Sequence, residues 1–546
     1  MPIKRTRTTT ASAESNSASK SARGHYSDHH NFCTYFCDIL NEFFLLGRGR
    51  PLSASQTLNT YGKREQEHVV ADTEQDLMQI DKSRSANVES PQSSPRLGIQ
   101  DSQDSQMEFI QEGLNRVTVR GDSLSTMPRA PKYRSKFAID VQTPTIIDRG
   151  SEITSVLVIG NNDVGQLGLV DTEEALNPVC IRDLDKFRIV DISVGCLHTA
   201  ALTRDGKVIT WGCNDHGALG RVTSDEDDKE LPPNVGRENV PDYAQGLDGV
   251  TIVKVECGGN ITLALSEDGQ IYMAGTFKDK NGVLGFSAKE KQLLQQSTFI
   301  RYDSTTKFKI ADIATGTDHA LFLTTEGFLY AWGSGDAHQL GRRVLARHVR
   351  DGLNPEKLAV KGIEKIFAGS YHSFAVAENG TVYAWGMNNY GQCGIKTRDE
   401  YITQPIRIDF FKDLPKVRQI AAGEHHTLVL LEDGSIYSFG RADYGQLGIG
   451  DVKEEDDEEP QKIGQKVTTP TNIRNFVPCK FIAAGDFHSI AASSDNDRLY
   501  SWGFGEPFGI GDEEKKEPYL LSDKSLTGRS ILAIGGGSQH TVILVQ

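Results

Sequence analysis

The chain lacks any pair of cysteines at the C-x-x-C spacing, although it holds 8 cysteines among its 546 residues. Zinc-finger arrangements are thereby excluded, and so few scattered cysteines predict no disulfide framework and favour a reducing compartment. Long apolar runs are missing too. The most apolar stretch, residues 32–46, contains Asp38, Asn41 and Glu42. It is too short and too polar to span a bilayer, and no secretory signal or membrane contact is predicted.

Proline and positive charge are in short supply. The chain has 19 prolines against 53 glycines, a balance that favours many tight turns over a long disordered chain. Lysine and arginine number 59 against 74 aspartates and glutamates, which gives a formal net charge of −15. A protein with this net negative charge is not expected to bind the phosphate backbone of a nucleic acid with its main surface. It favours a basic protein partner, or a local basic patch on an acidic whole.

Signature motifs of covalent and nucleotide chemistry are also absent. The sequence contains no G-x-x-x-x-G-K-[ST], no H-E-x-x-H and no G-x-S-x-G. We therefore predict no P-loop, no metal or other cofactor, no small-molecule substrate and no nucleophile–base constellation of an enzyme.

Residues 1–150 differ in composition from the rest of the chain. Serine, threonine, glutamine and aspartate dominate, and no sustained period appears. Such a segment buries too little apolar surface to offset its chain entropy, so we predict a largely disordered N-terminal tail. The patch at 32–46 does not fit this background. Two interpretations stay open: a short amphipathic helix that binds a partner, or a mistaken exon boundary in the gene model.

From about residue 155 the chain repeats a first phrase, an apolar strand that ends in aromatic-Gly followed by a loop that ends in a second glycine. The copies are IGNNDVGQLG (159–168), WGCNDHGALG (211–220), AGTFKDKNGVLG (274–285), WGSGDAHQLG (332–341), WGMNNYGQCG (385–394), FGRADYGQLG (439–448) and WGFGEPFGIG (502–511). Their first glycines recur with a period of 52 to 63 residues. A repeat of this length indicates a solenoid or a propeller.

A second phrase, Gly-x-x-His followed by an apolar strand, alternates with the first. The copies are GCLHTAAL (195–202), GGNITLAL (258–265), GTDHALFL (316–323), GSYHSFAV (369–376), GEHHTLVL (423–430), GDFHSIAA (485–492) and GSQHTVIL (537–544). Ile261 replaces the histidine once. Equivalent histidines on different repeats lie too far apart to converge on one metal ion, and we expect each to hydrogen bond the backbone of its own turn.

The order of the phrases predicts how the ring closes. Asp-Gly, Glu-Gly or Asn-Gly pairs join five of the strand pairs as two-residue hairpins. The first apolar strand has no hairpin partner before it, and the last has none after it. Repeats of four short strands are typical of propeller blades, which protect their edges by radial repetition. We therefore predict an all-β, seven-bladed β-propeller over residues 151–546, with four-stranded blades and a ring closed by the N- and C-terminal strands.

These two phrases, seven times over, resemble the regulator of chromosome condensation repeat family. The resemblance covers about residues 155–546. It is closer to the fungal members that act as guanine-nucleotide exchange factors for the small GTPase Ran, because WGCNDHGALGR (211–221) and TFKDKNGVLGF (276–286) are similar to segments of those proteins. The second segment resembles a hairpin, here called the wedge, that such an exchange factor presses against the nucleotide site of Ran.

The resemblance implies a set of functional residues on one face of the propeller. The wedge would comprise Phe277, Lys278, Asp279, Lys280, Asn281 and Gly282. Residues that would contact the GTPase are Asp163, Asp318, Arg342, His425 and His540. Gly259 departs from the family pattern, because it stands where an acidic residue that faces Ran is expected.

The resemblance also implies a nuclear protein that binds chromatin and supports nucleocytoplasmic transport and the cell cycle. The stretch from Arg342 to Arg350 is the densest basic segment of the predicted propeller. Arg347 and Arg350 would dock on the acidic patch of the histone core, since arginine pairs with carboxylates in a bidentate manner. An ordinary solvated basic loop is the alternative for this stretch. For the whole chain, the alternative function is a propeller scaffold or adaptor, for example one associated with a ubiquitin ligase, that binds other proteins and exchanges nothing.

Overall fold

The structure is a computed structural model, and it describes residues 139–149, 153–223, 237–289, 292–452, 465–495, 497–505 and 514–546. The patch at 32–46, most of the predicted disordered tail and the acidic runs at 225–230 and 454–459 lie outside the described residues. The division of the chain at residue 150 stays a prediction.

The described strands form seven four-stranded antiparallel sheets and one two-stranded hairpin, which confirms the predicted seven-bladed propeller. The first two strands are β1 (Ser155–Asn161) and β2 (Glu174–Cys180). Blade 1 contains β3 (Ile189–Val194), β4 (His198–Thr203), β5 (Val208–Gly212) and β6 (Asp242–Tyr243). Blade 2 contains β7 (Ile252–Cys257), β8 (Ile261–Ser266), β9 (Ile271–Gly275) and β12 (Gln296–Arg301), with the hairpin β10 (Phe277–Asp279) and β11 (Gly282–Gly285) inserted before β12.

The remaining blades follow the same plan. Blade 3 contains β13 (Ile310–Thr315), β14 (His319–Thr324), β15 (Leu329–Gly333) and β16 (Glu356–Lys357). Blade 4 contains β17 (Ile363–Ala368), β18 (His372–Ala377), β19 (Val382–Met387) and β20 (Tyr401–Ile408). Blade 5 contains β21 (Val417–Ala422), β22 (His426–Leu431), β23 (Ile436–Arg441) and β24 (Lys466–Asn472). Blade 6 contains β25 (Cys479–Ala484), β26 (His488–Ser493), β27 (Leu499–Gly503) and β28 (Lys515–Leu520). Short 3-10 helices span Arg182–Phe187, Asp303–Thr305, Ala346–Leu353 and Asp409–Phe411.

Blade 7 closes the ring with strands from both ends of the chain. Its order is β2-β1-β30-β29, where β29 spans Ile531–Gly536 and β30 spans His540–Val545. β1 pairs with β30 in an unbroken antiparallel register from Ser155 opposite Val545 to Gly160 opposite His540. The predicted closure is therefore confirmed, with two N-terminal strands in the last blade.

The second strand of every blade is buried along its whole length. Each of these strands lies between two neighbouring blades, so both of its faces contact apolar side chains. A strand that is buried on both faces needs a continuous apolar sequence rather than an alternating one. This explains the apolar run that follows every Gly-x-x-His.

The recurring histidines link neighbouring blades. Each Nε2 lies within hydrogen-bond distance of the serine or threonine hydroxyl that follows the histidine position of the next blade, and not of the turn backbone that we expected. The pairs are His198–Thr262, His319–Ser373, His372–Thr427, His426–Ser489, His488–Thr541 and His540–Thr199, at 2.7 to 3.3 Å. The glycine that begins each Gly-x-x-His phrase is required because an added Cβ would collide with the ring of the histidine three residues later.

The hydroxyl partner fixes the histidine tautomer. Ser373 donates its own hydroxyl hydrogen to the carbonyl of Gln339 at 3.1 Å, so its oxygen accepts from the Nε2–H of His319. Burial lowers the pKa of His319 to about 3 and keeps the ring neutral. The histidines therefore stabilise the ring as neutral donors between blades.

One junction, between blades 2 and 3, has lost both partners of this link. Ile261 stands in the histidine position of blade 2, and Ala320 stands in the hydroxyl position of blade 3. Both side chains are fully buried in one apolar cluster. Because the donor and the acceptor are replaced together, neither of these two positions contributes an unpaired polar group to the core.

Residues 139–149 lie against the propeller at the end that carries the Asp-Gly hairpins. The backbone N–H of Ile139 donates to Glu326 at 3.2 Å and that of Val141 donates to Thr325 at 3.0 Å. The guanidinium of Arg149 donates to the carbonyl of Val190 at 3.1 Å. This segment, here called the strap, thus contacts both blade 3 and blade 1.

Candidate functional site

One end of the propeller carries both recurring phrases, and we call it the turn face. In blade 1 the glycine that ends β5, Gly212, is opposite His198 at the start of β4. The same pairing joins Gly333 to His319 in blade 3. The Gly-x-x-His turns and the loops that follow each third strand therefore project at the same end.

The wedge is an ordered hairpin on this face. β10 and β11 pair antiparallel, with Asp279 opposite Gly282. Gly282 has φ of 108°, a conformation that favours glycine, and the backbone N–H of Asn281 donates to the carboxylate of Asp279 at 2.8 Å. Lys280 and Asn281 form the exposed tip. The glycine and asparagine that indicated a tight hairpin are thus explained.

The base of the wedge is buried, whereas its tip is exposed. Phe277 is fully buried and packs edge-on against Trp332 of blade 3, with ring centroids 6.3 Å apart. Lys278 is 3% exposed, and its Nζ lies 3.3 Å from Nε2 of His216 in blade 1. Neither side chain is accessible to a partner, because both anchor the hairpin to the propeller.

Blade 3 holds the backbone of the wedge with two carboxylates. Asp318 Oδ1 accepts a hydrogen bond from the N–H of Lys278 at 2.8 Å. Asp336 Oδ2 accepts one from the N–H of Lys280 at 2.9 Å. Asp318 was predicted to contact the GTPase. The structure places it at the wedge, half-buried, with one oxygen committed to the hairpin.

The presence of glycine at position 259 is explained by its close contact with Thr317 in blade 3. Its N–H donates to the carbonyl of Thr317 at 2.8 Å, and an added Cβ would lie 2.7 Å from Thr317 Cγ2. An aspartate at position 259 would therefore require the two turns to move apart. Asp318, in the adjoining turn, supplies an acidic group beside the wedge.

Arg342 serves its own loop. Its guanidinium donates to the carbonyls of Gly352 at 3.3 Å and Asn354 at 2.9 Å, and it lies 3.6 Å from Glu356. Arg221, at the same place in blade 1, donates to the carbonyl of Val240 at 2.8 Å. The arginine that follows Leu-Gly thus closes its own loop in both blades, and the contact of Arg342 with the GTPase stays a prediction.

The two predicted histidines are largely inaccessible. His540 is fully buried and pairs with Thr199, so it is one of the inter-blade links. His425 is 8% exposed and packs against the ring of Tyr390, with centroids 4.9 Å apart. Burial, followed by the nearby Arg441, lowers the pKa of His425 to about 3. A neutral, buried imidazole cannot serve as a cationic anchor.

Asp163 and several side chains of residues 342–350, here called the basic loop, are accessible on the turn face. The basic loop lies between β15 and β16. Asp163 is exposed in the loop between β1 and β2. Arg343, Arg347 and His348 are exposed in the basic loop. Arg350 is not equivalent to them, because it is half-buried and donates to the carbonyl of Ser287, just after the wedge, at 3.1 Å.

Sequence reasoning missed an arginine held between two aromatic rings on blades 4 and 5. The Arg441 guanidinium lies 4.9 Å from the ring centroids of both Tyr390 and Tyr444, and its Nε donates to Asp443 at 2.8 Å. Phe487 packs edge-on against Tyr444 at 5.4 Å. The signal was present in the sequence: aromatic residues recur in the same loop position of neighbouring copies, as NNYGQ and RADYGQ.

A central cavity of about 500 Å³ is lined by the first strand and the following turn of every blade. Asp486 lines the turn-face end of this cavity, and Glu424 occupies the equivalent sequence position in the adjacent blade. Burial, followed by the charge of Glu424, raises the pKa of Asp486 to about 7. Near neutral pH the carboxyl group of Asp486 is therefore partly protonated, which reduces its repulsion with Glu424.

Within the part of the chain that the structure describes, no group of three or more histidine, cysteine, aspartate or glutamate side chains could hold a metal ion. Among the same residues, no helix has the length and apolar character needed to cross a membrane.

Known proteins resemble the chain over the propeller. Residues 155–543 match the model of the RCC1-like domain. Protein pim1 of Schizosaccharomyces pombe is 39% identical over 412 residues, which are 72% of this chain and 75% of that protein. The guanine nucleotide exchange factor SRM1 of Saccharomyces cerevisiae is 34% identical over 397 residues, 67% of this chain and 80% of that protein. The crystal structure of Prp20p from S. cerevisiae, described with its binding properties to Gsp1p and histones, superposes with a TM-score of 0.68 at 30% identity and covers 75% of this chain and 96% of that one. The chain belongs to the family of proteins with an RCC1-like domain.

Proposed function

We propose that the chain is a guanine-nucleotide exchange factor for the small GTPase Ran, that it binds chromatin, and that it acts in the nucleus. Two relatives support this proposal: SRM1 is a guanine nucleotide exchange factor, and Prp20p was studied for binding to Gsp1p and histones. The observation that carries the proposal is the ordered wedge, whose exposed tip projects from the turn face while its base is fixed to blades 1 and 3.

The proposed mechanism involves no covalent chemistry. An exchange factor that prefers the nucleotide-free GTPase must, by linkage, weaken nucleotide binding by the same factor. The propeller supplies a rigid platform, and the tip residues Lys280 and Asn281, with the exposed Val283, would enter the phosphate and magnesium region of the GTPase.

The chromatin contact is assigned to Arg347. Its side chain is exposed, whereas Arg350 is committed to the carbonyl of Ser287. An exposed guanidinium can form a bidentate pair with carboxylates of the histone surface. Because the basic loop and the wedge share the turn face, a nucleosome and the GTPase would approach neighbouring parts of one surface.

The test is the release of fluorescent GDP from Ran in the presence of catalytic amounts of the full chain. We expect release to be faster than the spontaneous rate by orders of magnitude, and excess unlabelled GDP or GTP to be incorporated. A variant without residues 278–281 should still bind nucleotide-free Ran in a pull-down but should not accelerate release. If the wild-type chain binds Ran and leaves the release rate unchanged, the scaffold function replaces exchange.

A further inference from the structure

The junction between blades 2 and 3 is built differently from the other described junctions. It lacks the histidine–hydroxyl link, because Ile261 and Ala320 occupy the two positions. The wedge crosses this same junction: it belongs to blade 2, and its base packs on Trp332 of blade 3. The wedge thus adds a buried contact across the one described junction that lacks the histidine–hydroxyl link.

A second difference concerns the last glycine of the first phrase. In five other copies this glycine packs against an aromatic ring of the following blade: Gly168 on Trp211, Gly220 on Phe299, Gly341 on Trp385, Gly394 on Phe439 and Gly448 on Trp502. In blade 2 the corresponding Gly285 ends the wedge and faces Arg350. A Cβ added there would lie 3.0 Å from one terminal guanidinium nitrogen of Arg350. A cationic group of blade 3 therefore takes the place of a ring.

We propose that Asp336 and Arg350, together with Asp318, are positioning residues that clamp the wedge to blade 3 and hold its tip in one geometry for nucleotide release. The three side chains contact the hairpin at separate points, namely the N–H of Lys280, the carbonyl of Ser287 and the N–H of Lys278. The inference rests on the proposed exchange function and extends it to residues that need not touch the GTPase.

The physical reason is preorganisation. A two-stranded hairpin is marginally stable in water by itself. A mobile wedge would have to be ordered during each encounter with the GTPase, and the cost of ordering would be subtracted from the interactions that displace the nucleotide. The amide N–H groups of Lys278 in β10 and Lys280 at the tip donate to carboxylates, and one guanidinium donates to the segment after β11. These contacts restrain the hairpin before the partner arrives.

The first test uses Asp336 in the full chain. Asp336→Ala removes one acceptor, and we expect the rate of GDP release at saturating Ran to fall about tenfold, the effect of losing one charge-assisted hydrogen bond, while KM changes less than about twofold. Asp336→Asn keeps an oxygen acceptor in the same place and should restore the rate to within about twofold of wild type. Asp303→Ala, which removes an exposed aspartate from the 3-10 helix after β12, is the matched control and should match wild type.

The second test measures the wedge without Ran. Hydrogen–deuterium exchange of peptides that cover residues 277–285 should accelerate in Asp336→Ala and in Arg350→Ala, while peptides from the second strands of all blades should exchange as in wild type. Arg350→Lys should behave as Arg350→Ala does, since an ammonium group cannot cover Gly285 and reach the Ser287 carbonyl as the planar guanidinium does.

The outcomes separate the clamp from the exchange function. If wild type releases GDP and Asp336→Ala has an unchanged rate and unchanged wedge exchange, the clamp is refuted and the exchange function stands. If wild type does not release GDP, the exchange function fails, and the deuterium measurement alone still decides whether the clamp exists. A fall in the melting temperature of Asp336→Ala together with faster exchange throughout the propeller would refute a local positioning role.

Discussion

The carboxylate of Asp318 accepts a hydrogen bond from the backbone N–H of Lys278 at 2.8 Å, so a turn of blade 3 holds the wedge of blade 2. Truncation of the Asp318 side chain to alanine leaves the N–H of Lys278 without this partner. Loss of a charged acceptor typically costs about 1.5–3 kcal/mol. We therefore predict that Asp318→Ala slows GDP release from Ran about tenfold or more, with little change in the melting temperature.

The conservative variant decides what Asp318 does. Asp318→Asn keeps an oxygen for the N–H of Lys278 but removes the negative charge. If the residue positions the wedge, stopped-flow release rates for Asp318→Asn should approach wild type. If the residue pairs with a basic group of the GTPase, both variants should lose exchange equally, and that result would contradict the positioning role.

The two arginines of the basic loop should separate chromatin binding from exchange. Arg347 is exposed, whereas Arg350 contacts the segment after β11. We predict that Arg347→Ala weakens nucleosome binding about tenfold, as expected for one charge-assisted pair, and leaves GDP release from free Ran unchanged. Gel-shift titrations at fixed salt provide the measurement, with Arg301→Ala on the outer strand β12 as the control. Slower exchange in Arg347→Ala would place this side chain in the GTPase interface.

Ring closure predicts an asymmetric response to truncation. β1 lies between β30 and β2 in blade 7, with six residue pairs to β30. Its removal would expose strand edges on both sides and the apolar clusters that contain Val156 and Leu157. Deletion of residues 153–161 should lower the melting temperature by about 10 °C or more, whereas deletion of residues 1–130 should leave it within about 2 °C. Equal melting temperatures for the two truncations would show that the ring does not depend on β1.

The buried histidines predict that stability falls as the pH drops. Burial lowers the pKa of His198 to about 4 and that of His319 and His488 to about 3. The unfolded chain, with a histidine pKa near 6.5, therefore binds more protons than the folded chain between about pH 6.5 and 3 to 4. Each such histidine should remove about 1.4 kcal/mol of the free energy of unfolding per pH unit in that window. Asp486, whose pKa is raised to about 7, acts in the opposite direction.

Denaturant unfolding at a series of pH values tests this dependence. The free energy of unfolding should be nearly constant between about pH 7 and 8 and should decline below pH 6.5. His319→Gln removes one titrating ring and should reduce the slope by about 1.4 kcal/mol per pH unit. A slope that is the same in His319→Gln and wild type would contradict the assignment.

The fold could be predicted from the repeat. Two phrases in strict alternation predict seven blades of four strands each, and they leave one strand without a hairpin partner at each end of the repeat region. The individual site residues were not predictable in the same way. Asp318, Arg342 and His540 lie in the expected phrases, but what each side chain contacts depends on the fold around it. Arg342 reaches carbonyls ten and twelve residues on in its own loop, and His540 reaches Thr199 at the other end of the propeller sequence. The contact of His540 exists only because the ring is closed, and no local sequence pattern predicts it.

The junction between blades 2 and 3 predicts a compensating pair of substitutions. Ile261→His alone would bury an imidazole N–H opposite the methyl group of Ala320, without an acceptor, and should destabilise the propeller by about 1–3 kcal/mol. Ala320→Ser alone would bury a hydroxyl opposite Ile261 and should also destabilise. Together the two changes recreate the pair seen as His319–Ser373 at 2.7 Å. The double variant should therefore be more stable than the sum of the single effects predicts, with a favourable coupling energy of about 1 kcal/mol or more in a double-mutant cycle from guanidinium unfolding.

The matched control is the pair Ile261→Val and Ala320→Gly, which adds no polar group and should show additive effects. Additivity in the His–Ser pair would mean that the two positions do not face each other across the junction.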